Sequence, residues 1–251
     1  MSPSPHNPLN PTAFCSRLAA LHKSIAGTGG PTDKLFGFGV PTCNGNIEQL
    51  VEWEERWDVF FAKGLQWMVD LYVQIITSQK LSGSRGTGSQ KKKVNDDDDD
   101  DELKTAVERV CKLVIPHLLA PERLKEAGTG ESVKPCLVHG DLWVGNTGTN
   151  TTDTGEGGGE PVIFDPAAFY THNEYELGNW VPERCGFGGF EGEFVREYKR
   201  LYPPAEPREE FEDRVRLYSL CECFFCFFFQ FLFPNFISIS FSLVVQEEVE
   251  C

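Results

Sequence analysis

Two short segments constrain this chain more than any other feature, because each carries an oxygen-bearing side chain beyond an apolar run. Residues 136–146 (CLVHGDLWVGN) begin with such a run and then carry Asp141 and, five positions later, Asn146. Residues 161–167 (PVIFDPA) carry Asp165 directly after a second run. Short apolar runs bounded by glycine, proline and polar residues predict β-strands. We therefore expect two strands whose ends bring these three side chains together.

The spacing of Asp141 and Asn146 is typical of a phosphoryl-transfer loop, whose pattern is His-x-Asp, four residues and then Asn. In such loops the aspartate takes or orients the proton of the attacking hydroxyl, and the asparagine ligates magnesium. One magnesium ion needs several oxygen ligands, so Asp165 is the predicted partner of Asn146. The pattern predicts Asp141 as the catalytic residue, with Asn146 and Asp165 binding Mg²⁺ and, through it, ATP.

A family resemblance rests on these segments and on residues 170–177 (YTHNEYEL). Together they resemble the fructosamine-kinase/ketosamine-3-kinase family, within the protein-kinase-like superfamily of aminoglycoside and choline phosphotransferases. Trp143 after Asp-Leu, and Asp-Pro-Ala at 165–167 in place of Asp-Phe-Gly, separate the chain from protein kinases. The resemblance runs over about residues 14–220.

The resemblance implies an activity and a fold. Family members phosphorylate the 3-hydroxyl of a ketosamine, the sugar adduct on a protein lysine, using ATP and magnesium. The expected partners are therefore glycated proteins or small ketosamines. The implied fold class is α+β and mainly helical: the large, C-terminal lobe of a protein-kinase-like fold, with a small β-hairpin at the catalytic loop. Among the site residues, the resemblance assigns supporting roles to His139, to Trp143 and to Glu176, which braces the catalytic loop, and leaves Glu174 on the surface.

A kinase of this type also needs a small lobe that supplies a strand lysine, a helix glutamate and a loop over the ATP phosphates. No such pattern precedes residue 12, so we expect the N-terminal lobe to be missing and the chain alone to be weak or inactive. Two alternatives stay open. One is a phosphotransferase for aminoglycosides or choline-like amino alcohols, and the other is a catalytically dead kinase-like interaction module.

Net charge and cysteine content restrict the classes of partner and the cellular compartment that are expected. The formal net charge of −15 argues against nucleic acid as a partner, because its phosphates would be repelled. The nine cysteines are scattered and odd in number, and residues 1–11 lack the apolar stretch of a secretory signal. A reduced, cytoplasmic setting is therefore expected. The oligomeric state is left open by the sequence.

Composition divides the chain into three parts. Residues 1–11 are predicted to be a disordered leader, 12–220 the kinase-like large lobe, and 221–251 an atypical phenylalanine-rich tail. Within the lobe, 77–102 is a low-complexity insertion of serine, glycine, lysine and aspartate. The run at 224–245 approaches the length of a membrane span, but polar residues interrupt it and acidic ones follow. It is open to three interpretations: an end foreign to the natural protein, a divergent buried element, or a membrane tail anchor.

Periodicity and capping residues predict the remaining elements. Thr12 is expected to cap the first helix, on which His22 is an ordinary helix-face histidine. Pro116 is expected to kink or end a later helix. Gly64 stands where the family carries arginine, which puts one local salt bridge in doubt. The predicted helices cover 12–25, 47–76 (one or two helices), 103–119, 194–202 and 211–220, and a hairpin tip covers 147–160.

Overall fold

The computed structural model describes residues 9–24, 34–83, 96–150 and 159–232. Over these ranges the fold is α+β and mainly helical, as predicted. The predicted leader lies almost entirely outside the described residues, and so does most of the phenylalanine-rich tail. The helices are α1 (Pro11–Ser24), α2 (Trp57–Gly83), α3 (Asp96–Arg109), α4 (Ile115–Leu119), α5 (Glu193–Leu201) and α6 (Phe211–Leu232), with a π-helical turn at Val110–Val114 and 3-10 turns at Val144–Asn146, Asn173–Trp180, Glu183–Cys185 and Arg208–Glu210.

The strands form three small antiparallel pairs within the described residues. Strand β3 (Cys136–Val138) pairs with β6 (Phe169–Thr171), which aligns Val138 with Phe169. Strand β4 (Thr147–Asn150) pairs with β5 (Glu160–Ile163), which aligns Thr147 with Ile163. The predicted strand before Asp141 and the predicted hairpin are therefore confirmed. Because Val138 ends β3 and lies opposite Phe169, which begins β6, the loop after β3 and the segment before β6 meet at the same edge of this pair. The strands are β1 (Cys43–Asn44), β2 (Ile47–Glu48), β3 (Cys136–Val138), β4 (Thr147–Asn150), β5 (Glu160–Ile163) and β6 (Phe169–Thr171).

The buried apolar side chains form two clusters that meet at the loop after β3. The larger cluster includes Trp57 of α2 and Val138 of β3. The second joins α1, α5 and the start of α6 around Trp180, and it contains Leu142. Val138 and Leu142 flank Asp141 in the sequence, so the loop that carries this aspartate is packed into a different cluster at each end. Such packing fixes the position of a loop more firmly than hydrogen bonds alone.

Two expectations for α1 are wrong. The Asn10 side chain, and not Thr12, caps the helix, since its Oδ1 accepts a hydrogen bond of 3.0 Å from the Ala13 N–H. Pro11 then occupies the first helical position, where its missing N–H costs nothing. His22 is not an ordinary helix-face histidine, because its side chain is buried against Tyr198 and Glu176.

The predicted helix over 47–76 is wrong in its first ten residues. Residues 47–48 form β2. The segment that follows forms backbone hydrogen bonds with residues 36–38 and is not helical. The Phe36 N–H binds Glu54 O at 2.8 Å, and the Phe38 N–H binds Val51 O at 2.8 Å. Helix α2 therefore begins only at Trp57. Trp53 lies outside the helix, with its ring 6.1 Å from that of Tyr170.

The segments around the predicted insertion are more helical than expected. Helix α2 runs to Gly83 and α3 begins at Asp96, so both ends of the 77–102 stretch are helical, and residues 84–95 lie outside the described residues. Pro116 does not end the helix early; the chain passes into α4 through the π-helical turn. A wider turn there leaves room for the ring that would otherwise collide with the preceding turn.

Helix α6 extends past the predicted boundary at residue 220 and takes in the start of the phenylalanine-rich run. Among the described residues, no helix is long and apolar enough to cross a bilayer.

Candidate active site

The loop after β3 turns at Gly140, where only glycine fits. Its φ of +79° lies in the left-handed region, and a Cβ there would lie 2.3 Å from the carbonyl oxygen of Ala167. The Ala167 N–H in turn donates to His139 O at 2.9 Å, and Gln49 Nε2 donates to Ala167 O at 3.0 Å. The two predicted segments, 136–146 and 161–167, are thus joined backbone to backbone.

Asn146 binds Asp141 in two ways. Its amide nitrogen donates to the backbone oxygen of Asp141 at 2.8 Å and to the carboxylate Oδ2 at 3.0 Å. Because the amide nitrogen is committed to Asp141, the amide oxygen is the group that is left to bind a cation. The five-residue spacing in the sequence therefore becomes a direct contact in the structure.

Asp141 has an unusual pKa for a carboxyl group. Burial raises the pKa of Asp141 to about 6 from the ordinary value of 3.8, and the nearby charge of Asp165 raises it further. His139 and the hydrogen bond from Asn146 oppose this rise. A carboxyl group that titrates near neutrality exchanges protons more readily than a surface aspartate, which is the property a general base needs.

Asp165 sits in a strained backbone conformation beside this loop. Its φ of +60° is the one positive value among the described residues other than glycine. The Phe164 N–H donates to Asn146 O at 3.1 Å, which ties the residue before Asp165 to the residue that contacts Asp141. Strained, non-glycine backbone of this kind concentrates at functional sites. The Asp165 side chain is exposed, so its carboxylate is free to meet a ligand.

The hydrogen bonds of His139 define its tautomer. The Asp141 N–H donates to Nδ1 at 3.3 Å, so Nδ1 is an acceptor and the proton lies on Nε2. Nε2 then donates to Phe164 O at 2.9 Å. His139 therefore links the backbone of Asp141 to the residue that precedes Asp165. Its imidazole serves as a spacer between the two segments.

Glu176 braces the catalytic loop from behind. Its carboxylate accepts hydrogen bonds from the backbone N–H groups of His139, at 2.5 Å, and Gly140, at 3.1 Å. The side chain is fully buried. A carboxylate that accepts two backbone donors holds them more tightly than a neutral acceptor would.

The expectation that Glu174 lies on the surface is wrong. Its side chain is 1% exposed and pairs with Arg214. Arg214 Nε donates to its Oε2 at 2.7 Å, and the Ala205 N–H donates to its Oε1 at 2.8 Å. Burial raises the pKa of Glu174, and the guanidinium opposes that rise. This ion pair fixes α6 to the 3-10 turn that carries both Glu174 and Glu176. It therefore supports indirectly the contact between Glu176 and the loop backbone.

Trp143 lies beside the loop with its indole half-exposed. A Cβ at Gly145 would lie 2.1 Å from this ring, so a larger residue at 145 would displace the tryptophan. The predicted supporting residues His139, Trp143 and Glu176 thus all lie around the segment that carries Asp141.

The oxygen donors suit a hard cation. Asn146 offers an amide oxygen and Asp165 an exposed carboxylate from facing segments. Magnesium is commonly held by one or two such groups together with the phosphates of a substrate. No group of three or more potential metal-ligating side chains occurs in the described part of the chain. The donor set therefore fits a cation shared with a phosphate ligand.

Comparisons with known proteins converge on one family. The fructosamine kinase family model matches residues 5–231. The mouse ketosamine-3-kinase is 33% identical over 187 residues, which cover 74% of this chain and 45% of the mouse protein. The chloroplastic protein-ribulosamine 3-kinase of Oryza sativa subsp. japonica is 30% identical over 210 residues, 83% of this chain and 46% of that protein. The chain thus spans about half the length of these curated relatives.

A solved structure supports the fold alone. The protein assigned as a fructosamine-3-kinase from Haemophilus somnus 129PT superposes with a TM-score of 0.57 at 20% identity. The match covers 93% of this chain and 61% of the other.

Proposed function

The chain belongs to the fructosamine kinase family, and from that membership we propose that its site phosphorylates a sugar hydroxyl of ketosamines, with ATP as the phosphoryl donor. Relatives named ketosamine-3-kinase and protein-ribulosamine 3-kinase support this substrate class. The proposed substrates are protein-bound ketosamines and their small-molecule counterparts. The cytoplasmic location stays a prediction.

One observation carries the proposal: Asn146 holds the Asp141 carboxylate at 3.0 Å while its own backbone oxygen binds the residue before Asp165. The proposed base and the two proposed oxygen ligands are thereby connected through one residue, Asn146. Phosphoryl transfer depends mostly on positioning and charge stabilisation, which such an arrangement supplies.

In the proposed mechanism Asp141 accepts the proton of the attacking sugar hydroxyl. Above its pKa of about 6 the carboxylate is ionised and able to take that proton. The hydrogen bond from Asn146 keeps the carboxylate oriented. Glu176 keeps the backbone of the loop in place beneath it, and the half-exposed Trp143 provides a flat apolar surface beside the substrate.

Asn146 and Asp165 would hold Mg²⁺ and, through it, the phosphates of ATP. A bound magnesium ion neutralises charge on the transferred phosphoryl group. The exposed Asp165 carboxylate and the uncommitted oxygen of Asn146 are the groups this chain offers to it.

The test is transfer of labelled γ-phosphate from Mg·ATP to a ribulosamine-modified peptide, run beside an aminoglycoside and choline. We expect transfer to the ribulosamine peptide, no transfer to the other acceptors, and a loss of about 10²- to 10⁴-fold in Asp141→Asn. Transfer to an aminoglycoside with none to ribulosamine would overturn the substrate assignment. A folded sample without any transfer would favour the interaction-module alternative.

A further inference from the structure

Two buried tyrosine–histidine pairs in this protein have the same hydrogen-bond chemistry. In the first, Asn173 Nδ2 donates to the Tyr198 hydroxyl at 3.0 Å, and that hydroxyl lies 2.6 Å from His22 Nδ1. In the second, Trp57 Nε1 donates to the Tyr218 hydroxyl at 2.9 Å, and this hydroxyl lies 3.0 Å from Nδ1 of His172. Both tyrosines and both histidines are buried.

The direction of each hydrogen bond follows from the donors. An amide NH₂ or an indole N–H can only donate, so each phenol oxygen accepts there. Among the hydrogen-bond partners of each hydroxyl within the described residues, the histidine Nδ1 is the one that can accept the hydroxyl hydrogen. Nδ1 of His22 and of His172 is therefore an acceptor, and each ring carries its proton on Nε2. Neither Nε2 has a hydrogen-bond partner within the described residues.

The two pairs differ in what their Nε2 faces. His22 Nε2 lies 3.6 Å from Oε2 of Glu176, and both side chains are fully buried. That same oxygen accepts the hydrogen bond from the His139 backbone. No ion pair places a carboxylate near His172 within the described part of the chain. Only the first pair therefore continues to the catalytic loop.

We propose that Tyr198, acting through His22, is a positioning residue for the catalytic loop. Its hydroxyl holds the His22 ring as the Nε2–H tautomer, and this N–H steadies the Glu176 carboxylate that binds the loop backbone at His139 and Gly140. The relay runs from Asn173 through Tyr198, His22 and Glu176 to the residues that precede Asp141, and it joins α5 and α1 to the site.

The tautomer decides whether the contact with Glu176 is favourable. At 3.6 Å the contact is longer than a hydrogen bond, but an N–H dipole still attracts a carboxylate where little water screens it. The other tautomer would turn a nitrogen lone pair toward the carboxylate oxygen, and the two would repel each other. Tyr198 excludes that tautomer because its hydroxyl hydrogen already occupies Nδ1.

The experiment compares Tyr198→Phe with its matched control Tyr218→Phe, since each removes one buried hydroxyl from a histidine Nδ1. The readouts are ¹⁵N NMR of the histidine rings and hydrogen exchange of the His139 and Gly140 amides. In Tyr198→Phe we expect His22 to lose its single tautomer and the two amides to exchange about 10-fold faster, a size typical for loss of a supporting hydrogen bond. In Tyr218→Phe neither quantity changes, although the melting temperature falls to a similar extent.

Equal changes in both variants, or none in a folded Tyr198→Phe, would overturn the proposal. If Tyr198→Phe does not fold, ¹⁵N NMR of the wild-type protein tests the proposal independently. Finding His22 as the Nδ1–H tautomer would contradict the relay. These readouts need no activity, so they stand even if the proposed kinase function fails. Where transfer is measurable, Tyr198→Phe lowers kcat about 10-fold and leaves the KM for ATP unchanged.

Discussion

The two segments that meet at the site are held in opposite ways. The loop that carries Asp141 is anchored in the interior: Leu142 is 0% exposed, and carboxylate and imidazole groups bind the loop backbone from behind. The hairpin strand that leads to Asp165 stands open, with Val162 40%, Ile163 38% and Phe164 43% exposed. The first segment is positioned by the protein interior, and the second by a few backbone hydrogen bonds.

This difference predicts different consequences for substitutions in the two segments. Asp141, the proposed base, is placed by the same packing that stabilises the fold, so changes behind the loop should lower stability and activity together. Asp165 projects from an exposed strand, so changes there should affect ligand binding and leave stability almost untouched.

The greatest contrast is expected between two arginines. Arg214→Met leaves the Glu174 carboxylate buried without its partner, which should lower the free energy of unfolding by about 3–5 kcal/mol. Arg17→Met removes an exposed pair between α1 and Glu160 of β5, which should cost at most about 1 kcal/mol. Urea unfolding of both variants measures the difference. Equal losses would show that the hairpin is as firmly held as the interior.

A second contrast sets the two acidic side chains of the site region against each other. Glu176→Ala leaves the buried N–H groups of His139 and Gly140 without an acceptor, at a cost of about 1–3 kcal/mol for each. Asp165→Asn is exposed and keeps a residue type that tolerates positive φ, so stability should change by less than about 0.5 kcal/mol. Thermal unfolding decides. A large loss in Asp165→Asn would contradict the account of the open hairpin.

Short-range patterns in the sequence were sufficient to predict that Asp141 and Asn146 lie together and that the segment carrying Asp165 lies beside them. Asp141 and Asn146 are linked by local spacing, and the predicted strand explains where each segment ends. The cap of α1 could also be predicted from the sequence. A proline at the first helical position favours the residue before it, Asn10, as the cap. Thr12 follows that proline and therefore lies inside the helix.

What the sequence could not indicate lies in contacts between distant residues. Glu174 and Glu176 are alike in local sequence, and they differ only because Arg214 lies 40 residues beyond the first and the His139 amide 37 before the second. His22 meets Tyr198 across 176 residues. The non-helical start of the segment around Trp53 likewise follows from pairing with another strand-like segment, which local periodicity does not encode.

The pKa of Asp141 reports on the coupling between the two segments. Burial places this pKa near 6, so transfer should rise with pH through that value as the base ionises, and level off above it. Asp165 contributes to the upward shift. Asp165→Asn should therefore lower the midpoint, as followed by the ¹³C shift of the Asp141 carboxyl group. A midpoint that does not move would mean that the two carboxylates are not electrostatically coupled.

A small gain in stability is expected away from both segments. Gly64 lies within α2, and a Cβ there would meet no atom within 4 Å. Gly64→Ala should raise the free energy of unfolding by about 0.5–1 kcal/mol, because alanine loses less backbone entropy in a helix. Denaturant unfolding measures the gain, and the Asp141 titration should stay unchanged. A shift of that titration would show that α2 acts on the site.

The most direct test of the whole account is calorimetric titration of ATP into the folded chain, with and without magnesium. We predict magnesium-dependent binding that is retained in Asp141→Asn, since Asp141 is the proposed base, and lost in Asp165→Asn, since Asp165 is a proposed magnesium ligand. Magnesium-dependent binding of equal strength in Asp165→Asn, or none in the folded wild-type chain, would contradict the proposal that the two segments form a single phosphoryl-transfer site.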